Sequence, residues 1–199
     1  SSKDFGAGVY MFDADDGSLL WWASSHAAAN KETETNVPNM KRSVVSQIKA
    51  IDRNTDGLVD HLYFGDLGGQ VWRVDLDDAK TAGGTTNIAK RVTRILDQST
   101  ATDVPRFYTT PTFTIHNNGG SLFAALTIGS GNLSAPMSEN NKNDALYVVY
   151  DKDVTRRNLS VMTDSELSTV DVSTSGTGAK QLVKNTSGNT DRKSTRLNS

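Results

Sequence analysis

The stretch Asp52-Arg53-Asn54-Thr55-Asp56-Gly57-Leu58-Val59-Asp60 limits what this chain can fold into more than any other. Oxygen-bearing side chains stand at loop positions 1, 3, 5 and 9, with Gly57 at position 6. A calcium loop turns sharply at that sixth position so that the next carbonyl, here that of Leu58, faces the ion. Three carboxylates in so short a span repel one another unless a cation lies between them. The spacing therefore marks Asp52, Asn54, Asp56 and Asp60 as side-chain ligands of calcium (Ca2+), and Leu58 as a backbone ligand. A polar hairpin loop rich in Asp and Asn is the plainer alternative for the same residues.

The flanks decide what kind of loop this is. Position 12 is Tyr63, not the bidentate glutamate of an EF-hand, and no helix is expected on either side. Ser43 to Ile51 carries the β-branched Val44, Val45, Ile48 and Ile51, and Leu62 to Phe64 reads as a strand. The expectation is a strand-loop-strand site in which Asp60 supplies the closing carboxylate.

The following residues, His61 to Leu76, read as a hairpin with Gly65 to Gly69 in its turn. Trp72, Val74 and Leu76 fall on one face of its second strand and Val71, Arg73 and Asp75 on the other, which makes Trp72 a core anchor. Gly8 to Trp21 gives strand, turn and strand around Asp16-Gly17. Ile88 to Leu96 reads as a strand. Val104 to Ile115, bounded by Pro105 and Pro111, leads through Asn117-Asn118-Gly119-Gly120 to its partner Leu122 to Ile128. Ala145 to Asp151 is a further strand. Ala23 to Met40 and Asp77 to Asn87 carry no sustained period and read as long connecting loops.

A theme of aliphatic, aromatic, variable and apolar residues closing on Asp recurs in Val9 to Asp13, Val71 to Asp75 and Leu146 to Asp151. The interval is roughly 60 to 75 residues, longer than a minimal propeller blade and leaving room for loop insertions. The hairpin from Val9 to Trp21 resembles a blade of quinoprotein-like β-propellers. The expected fold is all-β: a partial propeller of several blades with long inter-blade loops over residues 1–160. A loop-rich, partly disordered remainder over 161–190 follows, with one short helix at Asp164 to Leu167. The terminal string Asp191-Arg192-Lys193-Ser194-Thr195-Arg196-Leu197-Asn198-Ser199 is what a sequencing adapter encodes when translated, and is expected to pack against nothing.

Composition narrows the function classes. A net charge of −2 does not suit a nucleic-acid binder, and 36% hydrophobic residues over 199 positions allow a real core. The absence of cysteine rules out disulfides, thiolate metal sites and a cysteine nucleophile. No apolar run approaches the ~20 residues needed to span a bilayer as a helix. His26, His61 and His116 lack metal-ligand spacing, and Gly129-Ser130-Gly131 is not a nucleophile elbow.

The calcium loop joined to His61-Leu62-Tyr63-Phe64-Gly65-Asp66-Leu67-Gly68-Gly69-Gln70-Val71-Trp72-Arg73-Val74-Asp75-Leu76 resembles the C-terminal β-propeller of the PilY1 family of type IV pilus assembly proteins. Arg106 to Pro111, Ile128 to Asn132 and Leu146 to Asp151 are similar to that family in the same order, and Leu133 departs from it where a basic residue is expected. The resemblance implies a secreted, cell-surface or pilus-tip protein of a Gram-negative bacterium. It implies that calcium supports pilus extension over retraction, with minor pilins and a host or abiotic surface as partners. The family's ligands carry over to Asp52, Asn54, Asp56 and Asp60, with Leu58 the backbone ligand. No catalytic residue is assigned. Two alternatives stay open. One is a quinone-dependent dehydrogenase-like propeller, whose usual vicinal disulfide this chain cannot form; the other is a calcium-stabilised adhesin unrelated to pili.

Overall fold

The structure, a computed structural model, describes residues 6–29, 33–76, 89–101, 104–137, 144–151, 154, 167–173, 179–185 and 192–198. Among them there is no helix, and the chain is all-β. β1 (Gly8–Phe12), β2 (Leu19–Ser24) and β3 (Glu34–Asn36) form the first sheet. β4 (Lys49–Ile51), β5 (His61–Gly65), β6 (Gln70–Leu76) and β7 (Ala89–Asp97) form the second, in sequential order. The third contains β8 (Thr112–Asn118), β9 (Ser121–Gly129), β10 (Ala145–Asp151), β11 (Leu167–Ser173), β12 (Ala179–Asn185) and β13 (Arg192–Asn198), in the order β11-β12-β13-β10-β9-β8. None of the three closes on itself.

The second sheet is the middle layer, and its side chains alternate between two cores. Leu62, Phe64, Trp72 and Val74 pack with Val9, Trp21 and Met40 toward the first sheet. Tyr63 and Val71 pack with Phe107, Leu126, Ile128 and Tyr147 toward the third. Every residue of β5 is buried, and Trp72 is fully so, because a sheet covered on both faces leaves no position for solvent. Removing the Trp72 side chain would cost about 3–5 kcal/mol by the usual cavity argument.

The hairpins expected at Gly8 to Trp21 and His61 to Leu76 are present as β1–β2 and β5–β6, and that expected from Val104 to Ile128 is present as β8–β9 with its first strand beginning only at Thr112. Trp21 is fully buried, while its neighbour Trp22 lies half-buried and stacks on Tyr10 across the strands. Other expectations are corrected. Within Ala23 to Met40 lie the end of β2 and all of β3, which runs parallel to β2. Three residues are too few to display a period, so the pattern could not show it.

Between Ser43 and Ile51 only Lys49–Ile51 is a strand. Earlier in that span the backbone serves several partners: the Val44 N–H donates to Gly6 O at 2.9 Å and the Leu67 N–H to Ser43 O at 3.0 Å. The Ser46 hydroxyl donates to Gly65 O at 3.1 Å and accepts from Gly65 N at 3.0 Å, standing in for a ladder rung.

The C-terminal remainder also differs from expectation. β11 and β12 fall in the stretch expected to be loop-rich, and Leu167, placed at the end of a short helix, opens β11; residues 164–166 lie outside the described residues. β13 falls in the terminal string expected to pack against nothing, yet it pairs with β10 from Ala145↔Asn198 to Val149↔Ser194. An unpaired strand edge accepts whatever extended segment can reach it, whatever that segment's origin.

Candidate metal centre

Loop 52–60 closes the β4–β5 connection, tied at its base to the second sheet. The Asp60 N–H donates to Ile51 O at 2.8 Å, and the Leu76 N–H donates to Asp60 O at 2.8 Å. Within the loop the carboxylates organise backbone N–H groups. Asp52 accepts from Thr55 N through Oδ1 at 2.6 Å and from Gly57 N through Oδ2 at 2.9 Å. Asp56 Oδ1 accepts from Leu58 N at 2.9 Å, Asn54 Oδ1 from Asp56 N at 3.1 Å, and Asp60 Oδ2 from Arg53 N at 2.6 Å. Asn54 Nδ2 donates to Asp56 Oδ2 at 2.8 Å.

This winding demands unusual backbone angles. Gly57 has φ +90°, which a residue with a side chain rarely adopts, and Thr55 has φ +61° despite its branched Cβ. The glycine expected at the sharp turn is therefore where the turn is sharpest. Asn54, Asp56 and Leu58 are exposed, and Asp52 and Asp60 half-buried.

The structure brings all five predicted ligands into one loop but does not bring their acids to one centre. Among the described residues, no three His, Cys, Asp or Glu side chains form a group that could hold a metal ion. The physical reason is local, since the carboxylate oxygens are turned toward N–H donors. Each ionised carboxylate has about four lone-pair sites, so these bonds leave acceptor capacity on every one. In kind the donors fit calcium: hard carboxylate, amide and backbone oxygens with no nitrogen or sulfur ligand.

Two features near the loop had no signal in the sequence strong enough to find them. The first is Arg53, between two candidate ligands, whose Nη1 donates to Val154 O at 2.5 Å. Val154 is fully buried in the core shared by the second and third sheets, just past β10, so this bond ties the loop to the third-sheet side. The second is a buried charge network beneath the loop. Asp75 Oδ1 lies 2.7 Å from His61 Nδ1, and Asp75 Oδ2 accepts from Arg91 Nε at 2.5 Å and from Arg73 Nη2 at 3.2 Å. Arg73 Nη1 donates to Asp151 on β10, across the sheets.

The electrostatics follow from this pairing. Burial alone would raise the Asp75 carboxyl, but the His61 hydrogen bond and the Arg73 and Arg91 guanidinium groups outweigh it and hold the group down at about 2. Burial lowers the tendency of Arg73 to carry charge, and Asp151 and Asp75 more than reverse that. Burial, with Asp151 nearby, pushes the Tyr63 hydroxyl up. Arg73 and Asp75 stand at inward positions of β6, and a charged residue at an inward position is the available hint of such a network. His61, which opens β5, is a buried member of it.

Comparison with protein-family models, with curated proteins and with solved structures returned no match.

Proposed function

We propose that this chain is a calcium-binding part of a β-propeller of the PilY1 type, which supports type IV pilus extension over retraction and surface adhesion. The observation that carries the reading is the winding of loop 52–60. Gly57 stands at the sixth position and turns at φ +90°, as a hard-oxygen loop requires, and Asp52 gathers the N–H groups of Thr55 and Gly57 around that turn. The layered sheets, with the second covered on both faces, suit neighbouring blades of a ring. On this reading the protein is secreted or exposed at the surface or pilus tip of a Gram-negative bacterium, with minor pilins and a host or abiotic surface as partners.

In the proposal Asp52, Asn54, Asp56 and Asp60 hold the ion with side-chain oxygens and Leu58 with its carbonyl. Bound calcium supplies positive charge that relieves the repulsion among the three acids. Arg53 then transmits the loop's conformation, because its backbone N–H is bonded to Asp60 and its guanidinium to Val154 on the third-sheet side. A fixed loop fixes that contact and the surface beside it. Extracellular calcium modules of this sort bind at about 10⁻⁴ to 10⁻³ M, weakly enough to follow the medium.

Calorimetric titration with calcium tests the reading. Wild type should bind one ion in about that range, and Asp56→Ala should bind at least about tenfold more weakly, a loss of ~1.4 kcal/mol. Equal affinities in the two would remove the site. Minor-pilin genes beside the coding sequence would favour the pilus reading over a calcium-stabilised adhesin of another kind.

A further inference from the structure

At the end of the second sheet remote from loop 52–60, around the β5–β6 turn, a cleft of ≈ 650 Å³ opens beside the end of β2 and the β3–β4 connection. Lys41, Arg42, Arg94, Gln70, Asn39 and His26 line it. Its floor is fixed. Gln70 is 3% exposed, its Oε1 accepts from Arg94 Nη1 at 3.2 Å, and Arg94 Nη2 lies 3.0 Å from Asp97 Oδ2.

The rim is held too. A Cβ on Gly68 would come within 2.3 Å of Arg42 Cγ, so the stem of Arg42 lies directly on the backbone of the turn. Any side chain at position 68 would displace it.

Isolated surface cations need no ligand, and Lys41 and Arg42 taken singly would be two of them. Here they share a concave site beside two described acids that are already engaged. Asp97 pairs with Arg94 and accepts from Ser99, and the buried Asp66 accepts from Gly68 N, Gln70 N and Trp72 Nε1. Among the described residues neither Lys41 nor Arg42 has an acidic partner within ion-pair distance. Among the described residues, then, two cations without an ion-pair partner line one cleft of a chain whose net charge is −2. Concave walls concentrate such a field, and a guanidinium offers a planar fork that matches an oxyanion in two places.

We infer that this cleft is a binding site for a small ligand carrying a carboxylate or phosphate group. Arg42 and Lys41 hold the charged group, and the side-chain amides of Asn39 and Gln70 meet polar groups next to it. The size suits a ligand of a few rings at most. The lining is cationic, amide and hydroxyl in character with Pro38 beside them, so a charged oxyanion gains over a neutral ligand through Arg42 and Lys41. Free anions and acidic sugars of a surface polysaccharide share this chemistry.

The full chain is titrated by calorimetry, and by amide chemical shifts, with inorganic phosphate, galacturonate, trigalacturonate and neutral maltotriose, all without calcium. Saturable binding of phosphate or galacturonate that weakens as salt is raised supports the site. A gain of about tenfold for trigalacturonate over the monomer assigns the acidic-saccharide source, and equal affinity assigns a free anion; both support it. Arg42→Glu should abolish binding and Lys41→Glu should weaken it about tenfold or more, while Asp56→Ala leaves it unchanged. The last comparison keeps this inference separate from the calcium reading, since the two sites lie at opposite ends of the sheet. Maltotriose binding as tightly as trigalacturonate would overturn the inference. So would the absence of binding up to about 10 mM of every anion, or an affinity within about twofold of wild type in Arg42→Glu.

Discussion

Two buried aspartates, Asp66 in the β5–β6 turn and Asp75 near the end of β6, pull the pH dependence of stability in opposite directions. Burial raises Asp66 from the ordinary 3.8 to about 6, beyond what its bonds from Trp72, Gln70 and Gly68 counteract. The folded chain keeps a proton there that the unfolded chain releases, so stability falls as pH rises from about 4 through about 6, by roughly 3 kcal/mol in all. Asp75 behaves oppositely. Held at about 2 in the fold against 3.8 unfolded, it contributes stability in full above 3.8 that is lost as pH falls through about 2. That contribution is about 2 kcal/mol. Urea melts from acid to neutral pH should therefore show a maximum near pH 4 from these two groups, and Asp66→Asn should flatten the neutral limb. A wild-type curve that is level across that limb would refute the Asp66 argument.

The elements differ in how plainly the sequence announces them, and the reasons are physical. The β5–β6 hairpin is legible because alternation along Val71 to Leu76 and the glycines of its turn agree about one structure. β3 is not legible, since its pairing to β2 depends on a return of the chain that three residues cannot encode. β13 is not legible either, since the adapter-like string Asp191 to Ser199 carries no strand pattern, yet the free edge of β10 pairs with it. The calcium loop is legible as a set of ligands, because the spacing is local; its link through Arg53 joins residues 101 apart and is not. Gly65 reads as a turn residue in the sequence, but it closes β5 against the third sheet. A Cβ there would lie 2.4 Å from Phe107 Cβ and 2.9 Å from Ile128 Cδ1. Gly65→Ala should lower stability by about 1–3 kcal/mol through overpacking, read as a lower denaturation midpoint with an unchanged slope. A midpoint equal to wild type would mean that the third sheet yields at no cost.

At the scale of the whole molecule, the seam between the second and third sheets is a layer of apolar side chains with one charged network inside it and the proposed ion site at its edge. Among the described residues the Arg53 side chain bonds the loop across that seam, which makes it the proposed route for any ion-dependent tightening of the two sheets. A ligand that binds only the folded state stabilises it by mass action, about 2.7 kcal/mol at a hundredfold excess over the dissociation constant. Calcium should thus raise the thermal midpoint of wild type and leave Asp56→Ala nearly unmoved. Arg53→Ala separates binding from transmission. It keeps the backbone N–H that bonds Asp60 and every proposed ligand, so calcium affinity by calorimetry should stay close to wild type. Hydrogen exchange along Tyr147 to Asp151 should be slowed by calcium in wild type and indifferent to it in Arg53→Ala. Equal calcium-dependent protection of β10 in both proteins would show that the loop acts on the third sheet by some route other than the Arg53–Val154 bond.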